Sequence, residues 1–120
     1  MVTLVLGASE NPERYSYKAV ERLLAQGHQV VAVGRVTGSL CGIPIQTQLP
    51  DTEEIHTLSL YLSPKNQIQW EEAILELNPQ RIIFNPGTEN PAFATRLKAQ
   101  GVETQLACTL VLLATNQYES

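Results

Sequence analysis

Between a first apolar run and a first helical pattern, the chain reads Gly7-Ala8-Ser9-Glu10-Asn11-Pro12-Glu13-Arg14-Tyr15-Ser16. One loop thus combines a glycine, two serine hydroxyls, a side-chain amide and a guanidinium. A strand-to-helix loop leaves backbone N–H groups unpaired, and the helix dipole adds positive potential beside them. Arg14 adds a fork of donors, so the stretch suits a phosphate. An ordinary loop in which Asn11 or Ser16 caps the helix is the plainer reading of the same residues. The loop is not GxGxxG, so the usual dinucleotide fingerprint is absent.

A second apolar run ends at Gly34-Arg35. An NAD site wants a carboxylate there for the ribose diol, whereas arginine favours a phosphorylated ribose. NADP carries such a phosphate at the 2′ position and coenzyme A at the 3′ position, and the residues alone do not choose between them. The third feature is Asn85-Pro86-Gly87-Thr88-Glu89-Asn90-Pro91. Its two Asn-Pro steps fix much of the backbone and present amide, hydroxyl and carboxylate groups suited to a polar, amide-bearing ligand arm.

Candidate catalysts are few. His28 and His56 precede strands and read as surface turn residues. Cys108 follows the last strand at the ligand-facing end, where a thiol could meet a thiol or thioester, although a buried small hydrophobe explains it as well. Neither a Ser-His-Asp arrangement nor paired carboxylates can be defended, so no catalytic residue is assigned. Cys41 and Cys108 lack CxxC or Cys/His spacing, which indicates reduced thiols and no metal site.

The elements that must hold these loops alternate strand with helix. Val2–Leu6 and Gln29–Val33 read as buried strands around a helix carrying Ala19, Val20, Leu23 and Leu24 and closed by Gly27. Residues 57–62 read as a third strand, followed by Ser63-Pro64 as N-cap and first helical residue and a stripe of Trp70, Ala73, Ile74 and Leu77. Arg81–Phe84 is a fourth strand. Asn90-Pro91 opens a helix with Phe93, Ala94 and Leu97, Gly101 ends it, and residues 102–107 form a fifth strand before a closing helix over 108–115. Both faces of the second strand read as covered, which favours parallel pairing. The expectation is an α/β, Rossmann-like, doubly wound and mainly parallel five-stranded sheet with helices on both faces. In such a sheet, ligands bind at the carboxyl ends of the strands. Residues 34–56 hold no clear period and receive no assignment.

At 120 residues with 43% apolar side chains, one domain over 1–120 is expected. Eight basic against twelve acidic residues leave a net charge of −4, which disfavours nucleic acid and membrane surfaces as partners. With no signal-peptide pattern and no membrane-length apolar run, a cytoplasmic location is expected.

Through Gly7-Ala8-Ser9-x-Asn11-Pro12-x-Arg14-Tyr15-Ser16, Asn85-Pro86-Gly87-Thr88-Glu89-Asn90 and Ala107-Cys108-Thr109-Leu110-Val111, nearly the whole chain resembles the small bacterial CoA-binding proteins. These are Rossmann-like domains related to the N-terminal domain of the succinyl-CoA ligase alpha subunit. The resemblance implies a coenzyme A or acyl-CoA ligand, with the Gly7 to Ser16 loop on the diphosphate and Gly34-Arg35 facing the 3′-phosphate. It further implies Leu62-Ser63-Pro64 beside the adenine and Asn85 to Asn90 toward the pantetheine. At Gly34-Arg35 the chain departs from the Asn-Pro-Lys common in relatives. The ligase domain that carries a phosphorylated histidine is not expected here, so the expected role is a binding module. The alternative is CoA-linked acyl or thiol transfer through Cys108. The protein partner is left open.

Overall fold

The computed structural model describes residues 1–51 and 54–119. Five strands pair in parallel: β1 (Val2–Leu6), β2 (Gln29–Val33), β5 (Thr57–Leu60), β6 (Arg81–Phe84) and, at one edge of the sheet, β7 (Glu103–Leu106). The sheet has seven strands rather than five, because β3 (Gly38–Leu40) and β4 (Ile43–Gln46) extend it beyond β2 in the order β3-β4-β2-β1-β5-β6-β7. β4 runs parallel to β2, and β3 pairs antiparallel with β4. The two residues joining them, Cys41 and Gly42, have φ of 50° and 80°. Positive φ at both central positions is the geometry that matches the twist of a two-residue hairpin. This hairpin occupies residues 38–46 of the unassigned stretch 34–56, of which residues 52 and 53 lie outside the described residues.

Among the described residues five helices flank the sheet: α1 (Tyr15–Ala25), α2 (Pro64–Gln67), α3 (Glu71–Leu77), α4 (Pro91–Ala99) and α5 (Thr109–Ala114). A 3-10 turn at Ile68–Trp70 joins α2 to α3. Alternation along the strands builds two cores. On one face Leu4, Leu6, Leu58, Leu60, Ile82 and Phe84 pack with Ile74 of α3 and with Phe93 and Leu97 of α4. On the other, Val5, Ala32 and Ile83 pack with Val20 and Leu23 of α1 and with Leu112 and Leu113 of α5. Burial on both faces explains why β1, β2 and β6 are mainly apolar, whereas β7 at the edge of the sheet reads Glu-Thr-Gln-Leu and is partly exposed.

The strand order reverses at β1, whose neighbours are β2 on one side and β5 on the other. At such a switch point the loops leaving adjacent strands part in opposite directions and leave a crevice at the carboxyl ends. The loops after β1, β2, β5 and β6 therefore surround one space.

Candidate functional site

That space is a cleft of about 990 Å3. Of the expected ligand residues, Gly7, Ala8, Ser9, Asn11, Arg14, Tyr15 and Ser16 line it from the first loop and the start of α1. Gly34 and Arg35 line it from the end of β2, Leu62 and Ser63 from the loop after β5, and Pro86, Gly87 and Thr88 from the loop after β6. Pro64, Asn85, Glu89 and Asn90 do not line it, and each has another occupation in the fold.

The first loop lies close against the sheet because of two glycines. Gly7 has φ of 100°, and a Cβ there would meet the backbone of Tyr61 at 3.1 Å. Gly34 meets the same loop from the other side, where a Cβ would stand 2.5 Å from the carbonyl oxygen of Ala8. The N–H groups of Gly7 and Ala8 both donate to the Val33 carbonyl, at 2.9 and 3.0 Å. They fasten the loop to β2 and are not available to a ligand.

The free donors come from α1. Its N-cap residue, Arg14, makes no side-chain cap, and the first intrahelical bond is Lys18 N–H to the Arg14 carbonyl. Among the described residues no protein group accepts from the backbone N–H of Tyr15, Ser16 or Tyr17. A helix N-terminus without a cap is a prepared anion site. Asn11 is occupied within the loop, where its Oδ1 accepts from Glu13 N–H at 3.0 Å and its own N–H donates to Ser9 Oγ at 3.1 Å. Arg14 and Arg35 are both exposed and have no side-chain partner among the described residues. Two uncommitted guanidinium groups thus face a cleft that also contains a helix N-terminus.

Glu10 also lines the cleft and forms no ion pair with either arginine among the described residues. Its Oε2 accepts from Ser39 N–H at 2.9 Å and ties the first loop to β3. Gly38 makes room for it, since a Cβ there would lie 2.6 Å from the Glu10 carboxyl carbon.

On the opposite wall the organising residue is Gln67, which is fully buried at the end of α2. Its Nε2 donates to the carbonyls of Leu62 and Thr88, both at 2.8 Å, and its Oε1 accepts from Asn90 Nδ2 at 2.9 Å. It therefore couples the loop after β5 to the loop after β6. Asn90 caps α4 through Phe93 N–H, and the Glu89 carboxylate accepts from Gly87 N–H at 2.9 Å. Thr88 is turned inward, with its hydroxyl donating to the Asn85 carbonyl at 2.8 Å. Pro64 is the first residue of α2.

Asn85 serves the fold beneath the cleft. Its Nδ2 donates to Ser59 Oγ at 3.0 Å and to the Leu60 carbonyl at 2.9 Å, and its Oδ1 accepts from Thr109 N–H at 2.8 Å. It caps α5 from a neighbouring strand, a job that Cys108 at the N-cap position leaves undone. The Tyr61 hydroxyl is buried near this network without a well-formed hydrogen bond, and burial pushes its pKa up to about 12. Cys108 is half-buried at the same end of the sheet but does not line the cleft. His28 and His56 lie at the opposite end. His28 packs edge-to-face on Tyr118 with Nδ1 3.5 Å from a Glu119 carboxylate oxygen, and His56 Nδ1 is 2.8 Å from Thr57 Oγ1. No cluster of metal-ligating side chains occurs among the described residues. Nor is any helix among them long and apolar enough to cross a membrane.

Asn66 after β5 and Val36 and Thr37 after β2 also line the cleft, as do Tyr61, Gln69 and Trp70, which the sequence did not mark as facing a ligand. The Ser63-Pro64 helix start marked the first of these regions, in which Asn66 lies on α2 and Gln69 and Trp70 lie in the 3-10 turn that follows it.

The chain is similar to solved structures over nearly its whole length. A crystal structure of a protein described only as uncharacterized is 42% identical, with a TM-score of 0.93 over 97% of this chain and 96% of that one. A protein from Thermus thermophilus is 26% identical, with a TM-score of 0.87 over 97% and 89%. A hypothetical protein from Pyrococcus horikoshii, at 22% identity, shares the fold with a TM-score of 0.81 over 90% and 78%. No protein of curated function is matched. Residues 2–114 match the family described as a CoA binding domain, and with nearly the whole chain covered, the protein belongs to that family.

Proposed function

We propose that the chain binds coenzyme A, free or acylated, in the cleft at the carboxyl ends of the strands, and that it carries out no chemistry of its own. The observation that carries this reading is the open N-terminus of α1, with the N–H groups of Tyr15, Ser16 and Tyr17 unclaimed between Arg14 and Arg35. The diphosphate sits on those N–H groups with Arg14 beside it, and Arg35 takes the 3′-phosphate. Charge-assisted bonds of this kind contribute about 1.5–3 kcal/mol each. Pro86, Gly87 and Thr88 border the space left for the pantetheine arm. Binding without catalysis is supported by the position of Cys108 outside the cleft lining. Two free cysteines agree with a reducing compartment, so we assign the protein to the cytoplasm.

The test is isothermal titration calorimetry with CoA, 3′-dephospho-CoA and NADPH. CoA is expected to bind tightest and dephospho-CoA more weakly. NADPH binding more tightly than CoA would overturn the assignment, because Arg35 would then be reading a 2′-phosphate.

A further inference from the structure

We propose that Glu10 is a positioning residue for the site: its carboxylate clasps the free edge of β3 and so fixes the loop that carries Arg14. The inference rests on the reading of the chain as a CoA binder. At its start the loop is fastened by Gly7 and Ala8 to the Val33 carbonyl. Beyond them its bonds are internal, from Asn11 N–H to Ser9 Oγ, from Glu13 N–H to Asn11 Oδ1 and from Arg14 N–H to the Asn11 carbonyl. Among the described residues, the bond from Ser39 N–H to Glu10 Oε2 at 2.9 Å is the one hydrogen bond that joins residues 9–13 to another element.

The hairpin leaves this donor for the loop. Ser39 stands opposite Pro44 in the antiparallel pair, and Pro44 has no N–H with which to enter a reciprocal bond. β3 is the outermost strand, so an N–H turned away from β4 meets water unless another group takes it. Gly38 supplies the room, because a Cβ there would lie 2.6 Å from the Glu10 carboxyl carbon. A carboxylate among groups that attract an anion weakens binding through its charge. Glu10 lines the cleft beside Arg14 and Arg35 yet pairs with neither, so its placement and not its charge is what serves the ligand. Apparent affinity scales with the fraction of molecules that hold the binding arrangement, and the clasp raises that fraction by keeping the loop in place. A carboxylate that merely covered the strand edge would, on removal, leave ligand affinity unmoved or raised.

Calorimetry with CoA on a set of variants separates position from charge. Glu10→Ala removes the clasp and the charge together, whereas Glu10→Gln keeps an acceptor and removes only the charge. Gly38→Ala keeps the charge and displaces the carboxylate, and because Gly38 does not have a positive φ its backbone accepts alanine. Glu10→Ala and Gly38→Ala are each expected to weaken CoA roughly 2- to 12-fold, the range of one net hydrogen bond. Glu10→Gln is expected to bind CoA at least as tightly as the parent. In an Arg14→Ala background, Glu10→Ala is expected to add less than about a 2-fold loss, because the loop then has no guanidinium to place. Unchanged or tighter binding in Glu10→Ala or Gly38→Ala, even with a lowered melting temperature, would overturn the inference and spare the function. So would a loss in Glu10→Gln equal to that in Glu10→Ala, or full additivity with Arg14→Ala. Absence of any CoA binding heat in the parent would overturn the function and this inference with it.

Discussion

Replacing Gly34 with alanine isolates the contact that holds the first loop on the sheet. The added Cβ would stand 2.5 Å from the Ala8 carbonyl oxygen and 3.2 Å from Ile45 Cγ2. An ordinary van der Waals contact starts at 3.4 Å, so the backbone of Ala8 or of β2 must give way by about 1 Å. Neither can move freely. Gly7 and Ala8 are both bonded to the Val33 carbonyl, and Gly34 N–H donates to the Gln46 carbonyl at 2.8 Å. Overpacking of this sort costs about 1–3 kcal/mol. Gly34 does not have a positive φ, so alanine adds no backbone strain, and the steric cost is offset only by the lower entropy of the unfolded chain, about 0.4–1 kcal/mol. Urea unfolding followed by circular dichroism reads the loss as a lower midpoint at constant slope, and melting should fall by about 4 °C for each kcal/mol. A stability within about 0.5 kcal/mol of the parent, the range of an inert surface change, would refute the reasoning. The loop would then be free to lift, and its apposition to β2 could not be what shapes the cleft.

Arg14→Ala should weaken CoA roughly 10- to 150-fold by calorimetry, with the melting temperature unchanged because no protein group depends on the guanidinium. Unaltered affinity would put Arg14 outside the site. Arg35→Ala should abolish the preference for CoA over dephospho-CoA, and in the parent that preference should shrink as salt shortens the Debye length from about 10 Å at 0.1 M to about 3 Å at 1 M. Equal loss for both ligands would show that Arg35 does not read the 3′-phosphate. Asn85→Ala strands Thr109 N–H and the Leu60 carbonyl, so it should cost about 1–3 kcal/mol in urea while ligand contacts remain, and a neutral result would contradict the capping of α5. For Tyr61 the folded pKa of about 12 exceeds the ordinary 10.0, so the unfolded chain releases the proton first. Its stabilising contribution is complete below about pH 10 and is lost as the pH rises toward 12. Unfolding midpoints that hold steady or rise over that interval would contradict the burial of the hydroxyl.

Where a residue type dictated its own environment, the sequence was a sufficient guide. Apart from Gln29 and Arg81 at their starts, Val2–Leu6, Gln29–Val33 and Arg81–Phe84 are apolar or β-branched because helices cover both faces, and their ends coincide with the observed strands. The β3–β4 hairpin escaped notice for the opposite reason. Its strands have three and four residues, Pro44 interrupts one, and the turn uses Cys41-Gly42, where asparagine or aspartate would have announced it. The loops around the cleft were legible because glycine, proline and arginine cluster there, but composition does not reveal direction. Asn85 and Gln67 are both amides near the ligand end of the sheet, and both are buried in structural duty. Only the register of β6 against β5, which sets Phe84 opposite Leu60, turns Asn85 under the cleft and not into it. The unpaired N–H groups were expected in the loop after β1, whereas pairing with Val33 consumes two of them and shifts the donors to the first turn of α1.

The most direct test of the central claim is amide mapping of the 15N-labelled protein during titration with CoA. A diphosphate on the N-terminus of α1 predicts the largest shifts at Tyr15, Ser16 and Tyr17, with Gly34 and Arg35 following and His28 and His56 at the far end of the sheet unmoved. Shifts confined to other surfaces, with the first turn of α1 silent at saturating CoA, would contradict it.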